Sequence, residues 1–326
     1  MHTSSGRWVA LLTMLAAFSL APSTGQTQTP YPSQTIKLMV PNPAGGLPDT
    51  VARIAGRRLQ ERLDQSVVIE NRPGANGRIA VAALLGAPAD GYTLLVTDGS
   101  ILSINPLLFA SLTYDPKDVL PIAMLARAPL FLAVHPKVPA ATMSEFIAYA
   151  RARPGQINYG SSGVGSTHHL SMEAMNAGLK LVMTHVPFKG TGESVPALLG
   201  GHIEVLFSAY PSLSGAADGK QVKLLATNAA QRSAQAPDLP SLAEFIAGFD
   251  FAPVIGIFAR SGTPPAVVQR IVAESLAVVK EADVVRRLAA VGVEPAGAGP
   301  EGFAAVLQGE TRRAGEAVRA AGIKAR

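Results

Sequence analysis

Short apolar runs alternate with longer amphipathic segments along most of this chain. Such runs, bounded by Gly, Pro and Asn, are typical of strands buried inside an α/β sheet. In the first part of the chain, these predicted parallel strands are 36–40, 67–70, 92–97 and 131–134. A second series follows at 156–160, 181–187, 204–208 and 222–227, and a last strand is predicted at 254–259.

Amphipathic helices are predicted between the strands. After Asp49, apolar residues recur at three- and four-residue spacing as far as Leu63, with Arg53 and Glu61 on the opposite face. This period is typical of a helix with one face buried against a sheet. Aspartate is a favoured N-cap residue, so we predict that Asp49 caps this helix.

The alternation of strands and helices predicts an α/β fold with two lobes. After the strand at 254–259, only helical patterns follow, at 265–291 and 300–321, which predicts three helices and no further strand. These helices have to pack on an existing lobe, so the chain crosses to the second lobe and returns. Two crossover strands make a hinge. The predicted lobes are 26–128 with 252–326, and 129–251.

The N-terminal segment has the features of a secretory signal peptide. Arg7 precedes an uncharged stretch from Trp8 to Ala21, and Ser23 and Gly25 are small residues suited to cleavage. The apolar stretch of about 14 residues is shorter than the roughly 20 that a membrane span needs. We therefore predict a signal peptide at 1–25 and a periplasmic mature chain of the Gram-negative type.

Composition and charge exclude several classes of protein. The chain has no cysteine, so it has no disulfide framework, no thiolate zinc site and no lipid anchor on a cysteine. The formal net charge is +5, and 6% of the residues are aromatic. Basic residues are spread thinly and do not interleave with aromatic residues, so we predict no nucleic-acid binding.

Two glycine-rich loops carry the candidate chemistry, one in each predicted lobe. The loop at 41–49 and the loop at 159–167 each lead from a strand into a helix. Unpaired N–H groups and the positive end of the helix dipole favour an anion at such a position. One such loop is weak evidence, since glycine and serine are common turn residues. Two loops facing one cleft favour an anion site between the lobes.

Enzyme alternatives find less support in the motifs. Neither Ser161 nor Ser162 lies in the Gly-x-Ser-x-Gly pattern of a hydrolase nucleophile. His168, His169 and His185 lack the spacing of a metal site, and we predict a packing or hydrogen-bonding role for His169. We expect no metal, no cofactor and no catalytic residue, with a periplasmic hydrolase as the alternative.

Several motifs occur in an order found in one known family. They are Tyr31-Pro32, Gly45-Gly46-x-x-Asp49, Glu70-Asn71-Arg72-Pro73-Gly74-Ala75, Pro88-x-Asp90-Gly91-Tyr92, Ile104-Asn105-Pro106, Tyr114-Asp115-Pro116, Tyr159-x-Ser161-Ser162-Gly163-x-Gly165, His185-Val186-Pro187-Phe188-Lys189-Gly190 and Leu198-Leu199-Gly200-Gly201. By these motifs the chain resembles the Bug receptors, the extracytoplasmic solute-binding proteins of tripartite tricarboxylate transporters. The resemblance covers nearly all of the predicted mature chain.

This resemblance implies a type II periplasmic-binding-protein fold whose lobes close on a small carboxylate. The partners that it implies are membrane subunits of a transporter, and the same fold delivering its ligand to a sensor is the alternative. Backbone and hydroxyl groups of both loops hold the ligand in such receptors. The candidate ligand-binding residues are Ala44, Gly45, Gly46, Asp98, Ser100, Ser161, Ser162, Gly163, Gly165, Ser166 and Ser208, with Asp49 as the helix cap.

Some residues depart from the family pattern. Asn42 replaces a common aromatic residue and Ala44 replaces a proline, which predicts a more polar first loop. Ser208 lies where aspartate is frequent, and Val254 where tryptophan is frequent, which predicts a less acidic and less aromatic inner wall. The segment 98–101 varies in the family, and we predict that it sets specificity.

Overall fold

The computed structural model describes residues 30–325, in which strands form two separate sheets. The strands are β1 (Ile36–Val40), β2 (Val67–Asn71), β3 (Thr93–Asp98), β4 (Val119–Arg127), β5 (Leu130–Val134), β6 (Asn158–Ser161), β7 (Thr184–Pro187), β8 (Val205–Ala209), β9 (Lys223–Thr227), β10 (Val254–Arg260) and β11 (Glu294–Ala298). The predicted signal peptide at 1–25 lies outside the described residues.

Helices follow most of the strands. They are α1 (Leu47–Leu63), α2 (Arg78–Gly86), α3 (Ser100–Ser103), α4 (Asn105–Leu108), α5 (Met143–Arg151), α6 (Thr167–Leu179), α7 (Thr191–Leu199), α8 (Ser214–Asp218), α9 (Pro265–Val278), α10 (Ala282–Ala290) and α11 (Pro300–Ala320). Single 3-10 turns occur at Ala75–Gly77, Pro116–Asp118, Tyr210–Ser212 and Leu242–Glu244. None of the helices in the described part is long and apolar enough to cross a membrane.

The first sheet has the order β11-β4-β10-β3-β1-β2. Strands β1, β2 and β3 are parallel, whereas β10 runs antiparallel to both of its neighbours. The second sheet has the order β7-β6-β8-β5-β9, in which β6 is parallel to β7 and β8. Strand β5 is antiparallel to β8 and β9, so the prediction of a parallel strand at 131–134 was wrong in direction.

Two strands differ from the sequence prediction. Strand β11 pairs antiparallel with β4, so the prediction of helices alone after 254–259 was wrong. Its sequence, Glu-Pro-Ala-Gly-Ala, does not alternate apolar and polar residues, so the sequence gives no strand signal. It is a short strand at the edge of the sheet, and its register with β4 is irregular. Strand β4 was also missed; it is apolar on both faces and contains Pro121, which reads as a break rather than a strand.

Each sheet is covered by helices that bury its apolar faces. On one side of the first sheet, Leu38 and Ile257 pack in a core with Leu59 of α1 and Ile271 of α9. The other face packs against Phe303 of α11. The second sheet has a core of its own, whose largest members are Phe146, Tyr159 and Phe207. Two sheets with separate cores make the two-lobed α/β fold that the sequence predicted.

The crossings between the sheets lie next to each other. Strand β4 ends at Arg127 and β5 begins at Leu130, and the return segment runs from Phe251 into β10. The N–H group of Ala128 donates to the carbonyl of Pro253 at 2.9 Å, so the two segments are hydrogen-bonded. This pair of crossover segments is the predicted hinge.

Helix α11 contacts both lobes. Phe303 and Leu307 in its first half pack against the first sheet, whereas Ala314 and Ala317 belong to the core of the second. The helix also packs directly against α6. Residues 252–326 are therefore not packed on the first lobe alone, and the exact lobe boundaries stay a prediction.

Candidate functional site

A cavity of about 1110 Å³ lies between the two sheets. Residues that follow β1 and β3 line it from the first lobe, and the loop that follows β6 lines it from the second. Strands β1 and β3 are parallel, as are β6 and β8, so their carboxyl ends meet at the same edge of each sheet. Ligands of open α/β sheets bind at such edges.

The second glycine-rich loop presents the N-terminus of α6 to the cavity. Ser166 is the N-cap, and its Oγ accepts a hydrogen bond from the N–H group of His169 at 3.2 Å. Thr167 and His168 occupy the next positions, where N–H groups have no intrahelical acceptor. The first turn of α6 contains no acidic residue, so no carboxylate of that turn offsets the positive end of this helix.

The backbone of this loop requires glycine at Gly165. Its φ angle is +80°, a region that other residues rarely adopt. A Cβ atom at this position would also lie 2.6 Å from Cδ1 of Leu108, which belongs to the first lobe. A side chain at this position would therefore need both a strained backbone and a shift of Leu108.

Three histidines hydrogen-bond groups of the second loop. The Nδ1 atom of His169 accepts from the N–H group of Gly165 at 3.1 Å, and His185 Nε2 lies 2.6 Å from Ser161 Oγ. The rings of His169 and His185 stack at 3.8 Å, and His168 Nδ1 lies 2.7 Å from Ser162 Oγ. Burial lowers the pKa of each of the three rings to about 4, so all are neutral near pH 7.

The first loop is built differently, and Asp49 is not the N-cap that we predicted. Helix α1 starts at Leu47 after the N-cap Gly46, so Asp49 is the third helical residue. Its carboxylate reaches back and accepts from the N–H group of Gly45 at 2.9 Å, and also from Arg53 and Asn71. The carboxylate thus offsets the positive end of α1.

The environment of Asp49 keeps it ionised. Desolvation of this buried carboxyl alone would raise its pKa, but hydrogen bonds from Arg53, Gly45 and Asn71 outweigh that effect and lower the pKa to about 2. A buried, ionised acid at this helix end leaves little attraction for a ligand anion. The two loops are therefore not electrostatically equivalent.

The cavity brings together about two thirds of the predicted site residues. Those that line it are Asp98, Ser100, Ser162, Gly163, Gly165, Ser166 and Ser208. Ala44, Gly45 and Gly46 do not line it, because the first loop turns on itself: Gly45 N–H donates to Asp49, and Gly46 N–H donates to Pro43 O at 3.1 Å. Which of these residues contact a ligand stays a prediction.

Ser161 also lies behind the cavity wall. It is fully buried, and its Oγ bonds His185 and accepts the N–H group of Gly163 at 3.1 Å. It therefore shapes the loop. The N–H groups of Gly163 and Gly165 are likewise used inside the loop, which leaves the amides of Thr167 and His168 as the backbone donors at the helix end.

Several lining residues were not predicted as ligand-binding. They are Asn42, Asn76, Thr97, Asn105, Lys189 and Thr191. Asn105 and Lys189 lie within the family motifs of the sequence, so those motifs contained a signal for them. Among the described residues, Asn42 Oδ1 and Ser208 Oγ are buried without a hydrogen-bond partner. Lys189 is the one basic side chain of the lining apart from the neutral histidine.

The Ser–His pairs of the second loop lack the remaining parts of a hydrolase site. In the described part of the chain, no carboxylate bonds the ring of His168 or His185, whereas a nucleophilic serine needs an oriented base. A ring with a pKa of about 4 is also a weak base at neutral pH. Within 30–325, no three His, Cys, Asp or Glu side chains cluster to hold a metal ion.

Comparisons with known proteins agree with this geometry. The model of the tripartite tricarboxylate transporter family receptor matches residues 51–323. Protein BugT of Bordetella pertussis is 32% identical over 297 residues, which cover 90% of this chain and 91% of BugT.

Two solved structures from Rhodopseudomonas palustris have the same fold. Rpa4515 with adipate is 31% identical, with a TM-score of 0.77 over 91% of this chain and all of that one. MatC with bound malate is 30% identical, with a TM-score of 0.70 over 88% of this chain and all of that one. The resemblance to the Bug receptors is thus confirmed, and the chain belongs to the tripartite tricarboxylate transporter receptor family.

Proposed function

We propose that this chain is a non-catalytic periplasmic receptor that captures a small carboxylate in the cavity between its lobes. The observation that carries the proposal is the N-terminus of α6, which faces the cavity with no acidic residue in its first turn. Free N–H groups and the helix dipole at such an end favour an anion. The adipate and malate complexes of two relatives support a carboxylate as that anion.

Neutral donors of the second lobe form the carboxylate site. The hydroxyl oxygen of Ser166 accepts from His169, which leaves the hydroxyl hydrogen free to donate into the cavity. The N–H groups of Thr167 and His168 lie at the same helix end. Hydrogen bonds to an ionised acceptor are about twice as strong as those between neutral groups, so a few such donors suffice to hold a carboxylate.

Export and delivery complete the proposal. The predicted signal peptide at 1–25 sends the receptor to the periplasm, where it passes its ligand to membrane subunits of a tripartite transporter. The family match supports this outlet over a sensor. A pull-down from membranes with ligand-saturated protein separates the two, because it recovers either transporter subunits or a signalling protein.

Substitutions of Ser166 test the carboxylate site. Ser166→Ala removes a hydroxyl donor to a charged group and is expected to weaken binding about 10- to 150-fold. Ser166→Asp keeps an N-cap residue but sets a carboxylate against the ligand, so binding is expected to be lost. Titration calorimetry with adipate, malate, glutamate and benzoate measures both effects.

Thr142→Asp is the matched control for these variants. Thr142 is the N-cap of α5, with the same hydrogen bond to the N3 backbone, and it does not line the cavity. This control is expected to bind like wild type. If Ser166→Asp also binds the best of these acids as tightly as wild type, the carboxylate does not bind at α6 and the proposal is wrong.

A further inference from the structure

The two walls of the cavity differ in hydrogen-bonding character. The second-lobe wall carries donors: the hydroxyl of Ser166, the first amides of α6 and the ammonium group of Lys189. The first-lobe wall carries several side-chain acceptors, among them the carboxylate of Asp98 and the amide oxygen of Asn42. A ligand that matches both walls has an anionic end and an end that donates hydrogen bonds.

Asn42 and Asp98 line the cavity from the carboxyl ends of two neighbouring strands of the first sheet. Strands β1 and β3 are paired in parallel; Asn42 lies two residues after the end of β1, and Asp98 is the last residue of β3. The Oδ1 atom of Asn42 is buried and has no partner among the described residues. An unpaired acceptor in a cavity wall that also carries a carboxylate is a place for a donor from the ligand.

The charge of Asp98 is not paired within the described part of the chain. One of its oxygens accepts from the N–H group of Ser100 at 2.9 Å, but no lysine or arginine forms an ion pair with it. The side chain behind it, Glu310, is also acidic and its Oε2 atom is buried without a partner. Nearby Arg127 and Arg313 bond Asp250 instead.

Glu310 lies close enough to Asp98 for the two acids to interact. A Cβ atom at Gly99, the residue after Asp98, would lie 2.7 Å from Glu310 Oε2. Burial, and then the charge of Asp98, raise the pKa of Glu310 to about 8. Glu310 is therefore mostly protonated near pH 7, which leaves Asp98 as the acidic side chain that lines the cavity, with no lysine or arginine in an ion pair with it among the described residues.

We propose that the ligand is an amino carboxylate, whose carboxylate binds at α6 and whose ammonium group faces Asn42 and Asp98. This inference rests on the proposed function and deepens it. A ligand with a second carboxylate in place of the ammonium group would set like charges against each other at Asp98. The selectivity of this chain then differs from that of its relatives with adipate and malate.

Matched pairs of acids test the inference. Glutamate and glutarate differ in the amino group, as do leucine and 4-methylpentanoate. We expect wild type to bind the amino member of at least one pair at least tenfold more tightly in titration calorimetry. Asp98→Asn is expected to reduce that preference at least tenfold, because it removes the charge and keeps an acceptor for the N–H group of Ser100.

Two further variants make the test specific. Asn42→Leu removes the unpaired acceptor and is expected to lower the preference for the amino member as well. Asp90→Asn is the matched control, since Asp90 accepts from the N–H group two residues later, as Asp98 does, but does not line the cavity. Its preference is expected to equal that of wild type.

The outcomes separate this inference from the proposed function. If the amino-free acids bind as tightly as their amino partners, or if Asp98→Asn keeps the full preference, the ligand class is wrong while a carboxylate receptor stands. If none of the four acids binds, and adipate and malate fail too, both proposals are wrong.

Discussion

At the residue scale, neutral imidazole rings hold the glycine-rich loop that precedes α6. His169 is 5% exposed and uses Nδ1 as an acceptor for the N–H group of Gly165. A protonated ring has no acceptor, so the loop hydrogen bond depends on the neutral form. Of the three histidines, His169 and His185 lie behind the loop, whereas His168 lines the cavity.

This arrangement predicts acid sensitivity. Burial lowers the pKa of His169 to about 4, against 6.5 in the unfolded chain, so its contribution to stability is complete above pH 6.5 and is lost as pH falls through 4. Protonation of this residue lowers the free energy of unfolding by about 3 kcal/mol at pH 4, relative to its value above pH 6.5. The pKa values of His168 and His185 are also lowered, so these residues also reduce the free energy of unfolding as the pH falls.

His169→Asn tests this dependence, because an amide oxygen near the position of Nδ1 accepts the same hydrogen bond but does not titrate. Urea unfolding of the variant at pH 7 and pH 4 is expected to show a smaller loss of stability than in wild type. His169→Leu lacks the acceptor and is expected to lose about 1 to 3 kcal/mol at pH 7. Equal losses in wild type and His169→Asn would contradict the account.

Single residues also show where sequence reasoning reached its limit. Asp49 was predicted as the N-cap of α1, but the N-cap is Gly46, three residues earlier, and Asp49 is the third residue of the helix. This shift changes which groups are free to bind a ligand. From the third helical position, the carboxylate of Asp49 accepts the N–H group of Gly45, which was predicted to bind the ligand. The partners of Ser161 and Gly165 are histidines of α6 and β7, contacts that only the tertiary fold creates.

At the scale of elements, Asn228 joins the two crossover segments. It follows β9, is fully buried, and its Oδ1 atom accepts from the N–H group of Leu130 at 2.8 Å. Its Nδ2 group donates to the carbonyl of Phe251 at 2.9 Å and to Ser171 Oγ at 3.2 Å. One side chain thus holds the outgoing strand, the returning segment and α6 together.

Asn228→Asp is expected to destabilise the protein by roughly 3 kcal/mol. The substitution keeps the shape but removes both donors, which buries an unpaired charge and leaves the carbonyl of Phe251 unsatisfied. Chemical unfolding measures the change. A variant as stable as wild type would show that this contact does not hold the hinge.

Elements were predicted from the sequence with uneven success, for a physical reason. The strands of β1, β3 and β8 are apolar runs between turn residues, and the sequence placed each within one residue of its bounds. Strand β11 has no such pattern, since pairing with β4 alone makes it a strand. Whether a strand runs parallel or antiparallel to its neighbours depends on how the chain connects the strands. The local sequence of β5 therefore could not predict its antiparallel pairing.

At the scale of the whole molecule, the fold brings two sheet edges to one cavity, but the two helix N-termini there differ in charge. The second lobe supplies the free end of α6, and the first lobe supplies acceptors and the buried charge of Asp49. Helix α11 packs on both lobes beside the hinge.

The measurement that tests the central claim most directly is titration calorimetry with acids and their primary amides. The acids are leucine and 4-methylpentanoate, and the counterparts in which an amide replaces the carboxylate are leucinamide and 4-methylpentanamide. We expect one acid to bind in a 1:1 complex and its amide to bind at least about 100-fold more weakly, because the charge-assisted hydrogen bonds at α6 are lost. Equal affinity for an acid and its amide would contradict a carboxylate site.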